Sequence, residues 1–111
     1  MDGILDTIKK MLGVDAEYKH FDTDIMTNIN TSFMTLHQLG VGPEDGFTIT
    51  GQNEKWDDFI PDTKKMEAIK TYIYLKVKLA FDPPTNSFSI DSYDRQAKEI
   101  EWRLNVQAEG K

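Results

Sequence analysis

The chain has 111 residues, 12.8 kDa and a formal net charge of −6, with 39% hydrophobic residues, enough for one modest domain. It contains no cysteine, which excludes a disulfide framework and any thiolate site. The acidic balance argues against a sequence-reading DNA binder, which carries a basic footprint.

The opening Met1-Asp2-Gly3-Ile4-Leu5-Asp6 places an acid where a signal peptide has its basic region, and no apolar run approaches a membrane span. A protein made in a reducing cytoplasm, with no membrane partner, is expected. Charge is uneven along the chain. Residues 1–22 sum to −2, 23–61 to −5, 62–81 to +3 and 82–111 to −2. One basic segment among acidic neighbours suits subunits that meet through complementary faces.

The patterning predicts a mainly α fold: a single domain over 1–111, a compact bundle of about four helices around an irregular middle loop that has room for a short strand. The first helix spans Asp2 to Leu12, capped by Asp2, with Ile4, Leu5, Ile8, Met11 and Leu12 at helical spacing and Gly13 as its stop. The second spans Thr23 to Leu39, capped by Asp22 or Thr23. Its stripe is Ile25, Ile29, Phe33 and Leu36, with Met26 beside it. Thr27, Asn28, Thr31, Thr35 and Gln38 take the other side, and Gly40 is a natural left-handed stop.

The middle, Val41 to Pro61, holds the turn signals Gly42-Pro43 and Asp45-Gly46. Phe47-Thr48-Ile49-Thr50 alternates and could be extended or a strand. Trp56, Phe59 and Ile60 have one-turn helical spacing, as a small hydrophobic plug would. Few fixed contacts are expected of this loop.

The third helix spans Asp62 to Phe81, started by Asp62 or Thr63. Met66, Ile69, Ile73, Val77 and Ala80 form one stripe; Tyr72, Leu75 and Leu79 form a second, about 100° around the axis. A helix apolar on more than one side is central. Asp82-Pro83-Pro84 stops it, because Pro83 forces Asp82 out of helical geometry. The fourth helix spans Ser89 to Gln107, with Ile90, Tyr93, Ala97, Ile100 and Leu104 facing the core. Asp94→Lys98 and Glu99→Arg103 are acid-first pairs four apart, worth about 0.2–0.5 kcal/mol each. Gly110 and Lys111 read as a frayed end.

Catalytic constellations are missing from the pattern. His20 and His37 have no metal-ligand spacing, so no zinc site is expected. Asp57 and Asp58 are adjacent and diverge by about 100° on a helical turn, which suits charging a first turn better than paired acid/base work. No glycine-rich phosphate cradle and no nucleophile elbow appear. The reading is a non-enzyme without cofactor or metal.

What remains is surface. Trp102 lies about 180° from Tyr93, away from the core stripe, among Arg95, Lys98 and Glu99, with Val106 one turn on. A large aromatic ringed by charges is a candidate interface anchor. The second stripe of the third helix, Tyr72, Leu75 and Leu79, is hard to cover in so small a domain. The candidate partner interface is therefore Trp102, Val106, Arg95, Tyr72, Leu75, Leu79, Trp56 and Phe59.

Lys70-Thr71-Tyr72-Ile73-Tyr74-Leu75-Lys76-Val77-Lys78-Leu79-Ala80-Phe81-Asp82-Pro83-Pro84, followed by Glu99-Ile100-Glu101-Trp102-Arg103-Leu104, resembles the small head–tail connector (adaptor) family of tailed phages and prophages of Gram-positive bacteria. Asp22-Thr23-Asp24-Ile25, Leu39-Gly40-Val41-Gly42 and Trp56-Asp57-Asp58-Phe59-Ile60 are similar to it as well. The resemblance covers nearly the whole chain. It implies a helical virion protein that assembles with itself as a ring of about twelve subunits, by heterologous contacts. That ring would sit beneath the portal protein and beside the head-completion (stopper) or tail protein. DNA would pass through its channel without sequence-specific binding, and the protein would reside at the head–tail interface of the virion after assembly in the host cytoplasm. The alternatives are a small phage DNA-packaging protein or a regulatory binding protein. Against the first, the second helix carries no lysine or arginine between Asp24 and Leu39.

Overall fold

A computed structural model describes residues 3–61 and 63–109, with side chains for all of these but Thr63 and Glu109. Five helices follow in order: α1 (Ile4–Leu12), α2 (Asp22–Gln38), α3 (Trp56–Phe59), α4 (Thr63–Phe81) and α5 (Ser87–Glu109). Asp2 and Asp62, read as caps, and the terminal Gly110 and Lys111 lie outside the described residues. The mainly helical bundle is as expected: α1, α2 and α5 all pack on α4, and α1 also meets α2. The result is a flattened body of 40 × 35 × 20 Å.

The core is the one the periodicity marks. Ile25, Ile29, Phe33 and Leu36 from α2 meet Met66, Ile69, Ile73 and Val77 from α4, with Ile4, Leu5 and Ile8 from α1 and Ala97 and Leu104 from α5. Each fully buried aliphatic or aromatic side chain contributes about 1.5–3 kcal/mol. Three residues placed on the core stripes stand at the rim instead: Met11 is 40% and Ile90 37% exposed, and Ala80 is exposed.

Two glycines end helices as their φ values require. Gly13 (φ 80°) donates to the Lys10 carbonyl and Val14 to that of Lys9. Gly40 (φ 85°) donates to His37 and Val41 to Leu36. Both are the left-handed closure that satisfies the last carbonyls of a helix. At its start, α2 has no side-chain cap. Asp22 is otherwise engaged, since its Oδ1 accepts from the Lys9 ammonium at 2.7 Å.

Lys9 is fully buried, and sequence patterning had not singled it out. Its Nζ donates to the carbonyls of Ala16 (3.1 Å) and Tyr18 (2.7 Å) as well as to Asp22. An ammonium has three donors and no acceptor, so all its capacity is used. The connection between α1 and α2 is thereby folded around a buried cation.

The middle loop is irregular, as expected, and departs from its expectation in its contacts. Phe47-Thr48-Ile49-Thr50 belongs to no strand; the β-pairing seen among the described residues is a single bridge between Gly3 and Lys55. The partner of the extended segment is a side chain. Asn30 Nδ2 donates to the Ile49 carbonyl (3.0 Å), and Ile49 N donates to Asn30 Oδ1 (2.7 Å), so one amide reproduces both bonds of a strand neighbour. The loop is also richly held. Phe47 and Phe59 stack with Phe33 of α2, with ring centres 4.6–5.4 Å apart. The Glu54 carboxylate accepts from Thr50 N, Thr50 Oγ1 and Gly51 N. Burial pushes the Glu54 carboxyl up, but these hydrogen bonds together outweigh it and hold it below the usual range. Its contribution is therefore present at neutral pH and is lost as pH falls through the carboxylate range. Asn30→Ala should cost about 1–2 kcal/mol in urea unfolding, because it strands the amide and carbonyl of a buried residue. A change below about 0.5 kcal/mol would mean that water replaces the clamp.

α5 begins two residues before its expected start. Asn86 Oδ1 accepts from Ser89 N at 2.7 Å, the bond of an N-cap, so Ser87 and Phe88 are helical. This short shift decides the surface described next.

Candidate partner interface

Of the eight interface candidates, four lie in the interior, and burial removes them from the surface set. Trp56 and Tyr72 are fully buried, and Leu75 and Phe59 each 3% exposed. Trp56 closes the base of α1: its Nε1 donates to Thr7 Oγ1 (3.0 Å), which donates to the Gly3 carbonyl (2.7 Å). Lys70 lies over its ring at 5.5 Å. The helical turn beneath it is closed by Asp58, whose carboxylate accepts from Lys55 N. Phe59 packs against Phe33 and Phe47, and no side chain fits at Gly42, where a Cβ would stand 2.4 Å from the Phe59 ring.

Tyr72 and Leu75 are interior because α2 and α5 both pack on α4. The Tyr72 hydroxyl donates to Glu101 Oε2 at 2.7 Å. Burial, and then this carboxylate, push the phenol well above its ordinary value, so it stays protonated and donating. Leu79 is half-buried and lines a shallow groove with Asn28, Thr31, Ser32, Lys76 and Ala80.

The other three candidates share one exposed face. Trp102 is 67% and Val106 44% exposed, and Arg95 is exposed. Phe88, at 77%, joins them and had not been anticipated. Phe88, Arg95, Trp102 and Val106 fall within about 40° of one line on the helical wheel, spread over roughly 27 Å of axis. Their spacings of seven, seven and four residues are those of a heptad seam. The opposite side of α5 carries Tyr93, Ala97, Ile100 and Leu104 into the core. Phe88 was legible in principle, being two heptads before Trp102. It was missed because a helix begun at Ser89 leaves it outside.

The electrostatics of this face are mild. Lys98–Asp94 (3.0 Å) and Arg103–Glu99 (3.3 Å) are the intrahelical pairs the spacing predicted, and both are exposed, so each contributes tenths of a kcal/mol. Arg95 makes no ion pair among the described residues and reaches the Asp91 carbonyl at 3.5 Å.

Among the described residues no group of histidines and carboxylates could hold a metal, and no helix is long and apolar enough to cross a membrane. His37 Nε2 lies 2.9 Å from the Glu44 carbonyl, and His20 packs edge-on against Phe21. Among the described residues the molecule offers a helical body with an exposed aromatic seam on α5. No curated protein and no solved structure matches the chain. A family model described as phage connector protein matches residues 4–111, so both the helices of the core and the exposed seam of α5 lie within it: the chain belongs to the phage connector protein family.

Proposed function

We propose that the chain is a head–tail connector subunit that works as a single domain and assembles into a ring of about twelve copies by repeating one heterologous contact. The ring sits beneath the portal protein, extends the DNA channel, and gives the stopper or tail protein its docking surface. Its place is the head–tail interface of the virion, reached after assembly in the host cytoplasm, in a phage of Gram-positive bacteria. No chemistry is required of it, and the family is a structural one.

The observation that carries this reading is the exposed aromatic seam of α5 on a folded body whose core is otherwise closed. Such a seam is a contact surface in search of a partner. Sedimentation of the full chain at rising concentration, alone and with its portal, tests it. Large closed assemblies are expected; a monomer under both conditions would refute the ring.

The chain should also fail to bind duplex DNA at physiological salt. Non-specific affinity comes from lysine and arginine neutralising phosphates. Here the net charge is −6, and of the five lysines of α4, Lys78 is engaged locally with Asp82 at 2.9 Å and Lys70 with Glu67 at 3.6 Å. An acidic channel wall lets the genome slide without sticking. Micromolar binding in a fluorescence-anisotropy titration near 0.15 M salt would favour the DNA-packaging alternative.

A further inference from the structure

We propose that the seam of α5 docks onto the outer face of α2 in a second copy of this chain. The inference rests on the ring reading above and names the surface that receives the seam. In the sequence α2's outer face reads as polar and solvated. The structure gives it another character. Thr27 Oγ1 donates to the Thr23 carbonyl at 2.9 Å, and Thr31 Oγ1 to the Thr27 carbonyl at 3.0 Å. With each hydroxyl proton donated inside the helix, these exposed threonines present a methyl and an oxygen that can only accept. Met34, on the same face, is 62% exposed. Beside it runs a groove of about 480 Å³ lined by Thr27, Thr31, Phe33, Met34 and Phe47, with Asp45 among its edges.

The two faces match in period and length, and one charge of the seam, Arg95, faces acids at the groove. Thr27, Thr31, Met34 and Gln38 are spaced four, three and four apart, the heptad spacing that α5 shows once Ser92 and Glu99 are counted with its seam. Thr27 to Met34 covers about 10 Å of axis, as does Arg95 to Trp102. Two such seams pack at a shallow crossing angle, and small threonines let the backbones approach. The seam's Arg95 has no ion-pair partner in its own subunit among the described residues, and neither have Asp45 and Glu44 beside the groove. An arginine meeting carboxylates fixes the register of such a contact. Two different faces can meet head-to-tail, the kind of contact that closes a ring, and a covalent ladder rather than a single dimer band tells it from a two-fold pair.

The absence of native cysteine makes cross-linking a clean test. Thr31→Cys and Glu99→Cys are placed in one full-length chain and treated with a short bis-maleimide, after sedimentation has shown whether the wild type self-associates. A ladder of covalent oligomers from the double variant, with neither single variant giving one, is expected. A wild type that self-associates while the double variant gives no ladder overturns the pairing and leaves the ring reading standing. Covalent dimers from Glu99→Cys alone overturn it in favour of seam-on-seam contact. A wild type that stays monomeric at every concentration, alone and with its portal, with no ladder, overturns both. Independently, Thr31→Lys, which buries a charge in the proposed contact, should weaken self-association roughly tenfold or more with an unchanged melting temperature. Unchanged self-association would exclude α2.

Discussion

Replacing Lys9 by methionine should destabilise the subunit by about 3 kcal/mol or more. Methionine keeps most of the buried stem and removes the ammonium. The Asp22 carboxylate, 16% exposed, then loses its counter-ion, and the carbonyls of Ala16 and Tyr18 lose their donor. A buried charge left without its partner costs far more than the pair contributes. For a domain of this size the loss corresponds to a fall in melting temperature of roughly 10–20 °C. The double variant Lys9→Met/Asp22→Leu should recover part of it, because neither ion is then stranded. A single-variant loss below about 1 kcal/mol in urea unfolding, or a double variant as unstable as the two singles combined, would show that water reaches the site.

The second large effect separates assembly from folding. Trp102→Ala should leave monomer stability within about 0.5 kcal/mol of wild type, since the indole is mostly in solvent. It should weaken subunit or portal association by about 2 kcal/mol, close to thirtyfold, as the loss of an aromatic anchor does. Thermal melting at low concentration and sedimentation at high concentration read the two separately. A variant that melts far lower and assembles normally would make Trp102 a structural residue and leave the seam without its anchor.

The distinction between Trp102 and Trp56 shows where one-dimensional reading stops. Both are large aromatics next to charged residues in the sequence, Trp56 beside Lys55 and Asp57, Trp102 beside Glu101 and Arg103. Trp102 lies in a long helix, where the wheel angle to Ala97 and Leu104 tells the two faces apart. Trp56 lies in a four-residue helix, too short for any periodicity to accumulate. Only the return of the chain to Gly3 and Thr7 reveals that its indole is interior. Tyr72 and Leu75 fail for a related reason: their wheel position shows that a second face of α4 is apolar, but says nothing of which helix covers it.

The helices, their order and the α2 and α4 core stripes were determined by the sequence alone. Repeats near 3.6 residues, stopping glycines and the Asp82-Pro83 step are local properties, each set by the sterics of a few neighbouring residues. The tertiary structure alone decided the buried Lys9, the amide of Asn30 standing in for a strand, and the burial of Trp56 and Tyr72. Lys9 meets Asp22 across 13 residues and Asn30 meets Ile49 across 19. A polar side chain's environment depends on which distant groups reach it, and that is settled only when helices pack.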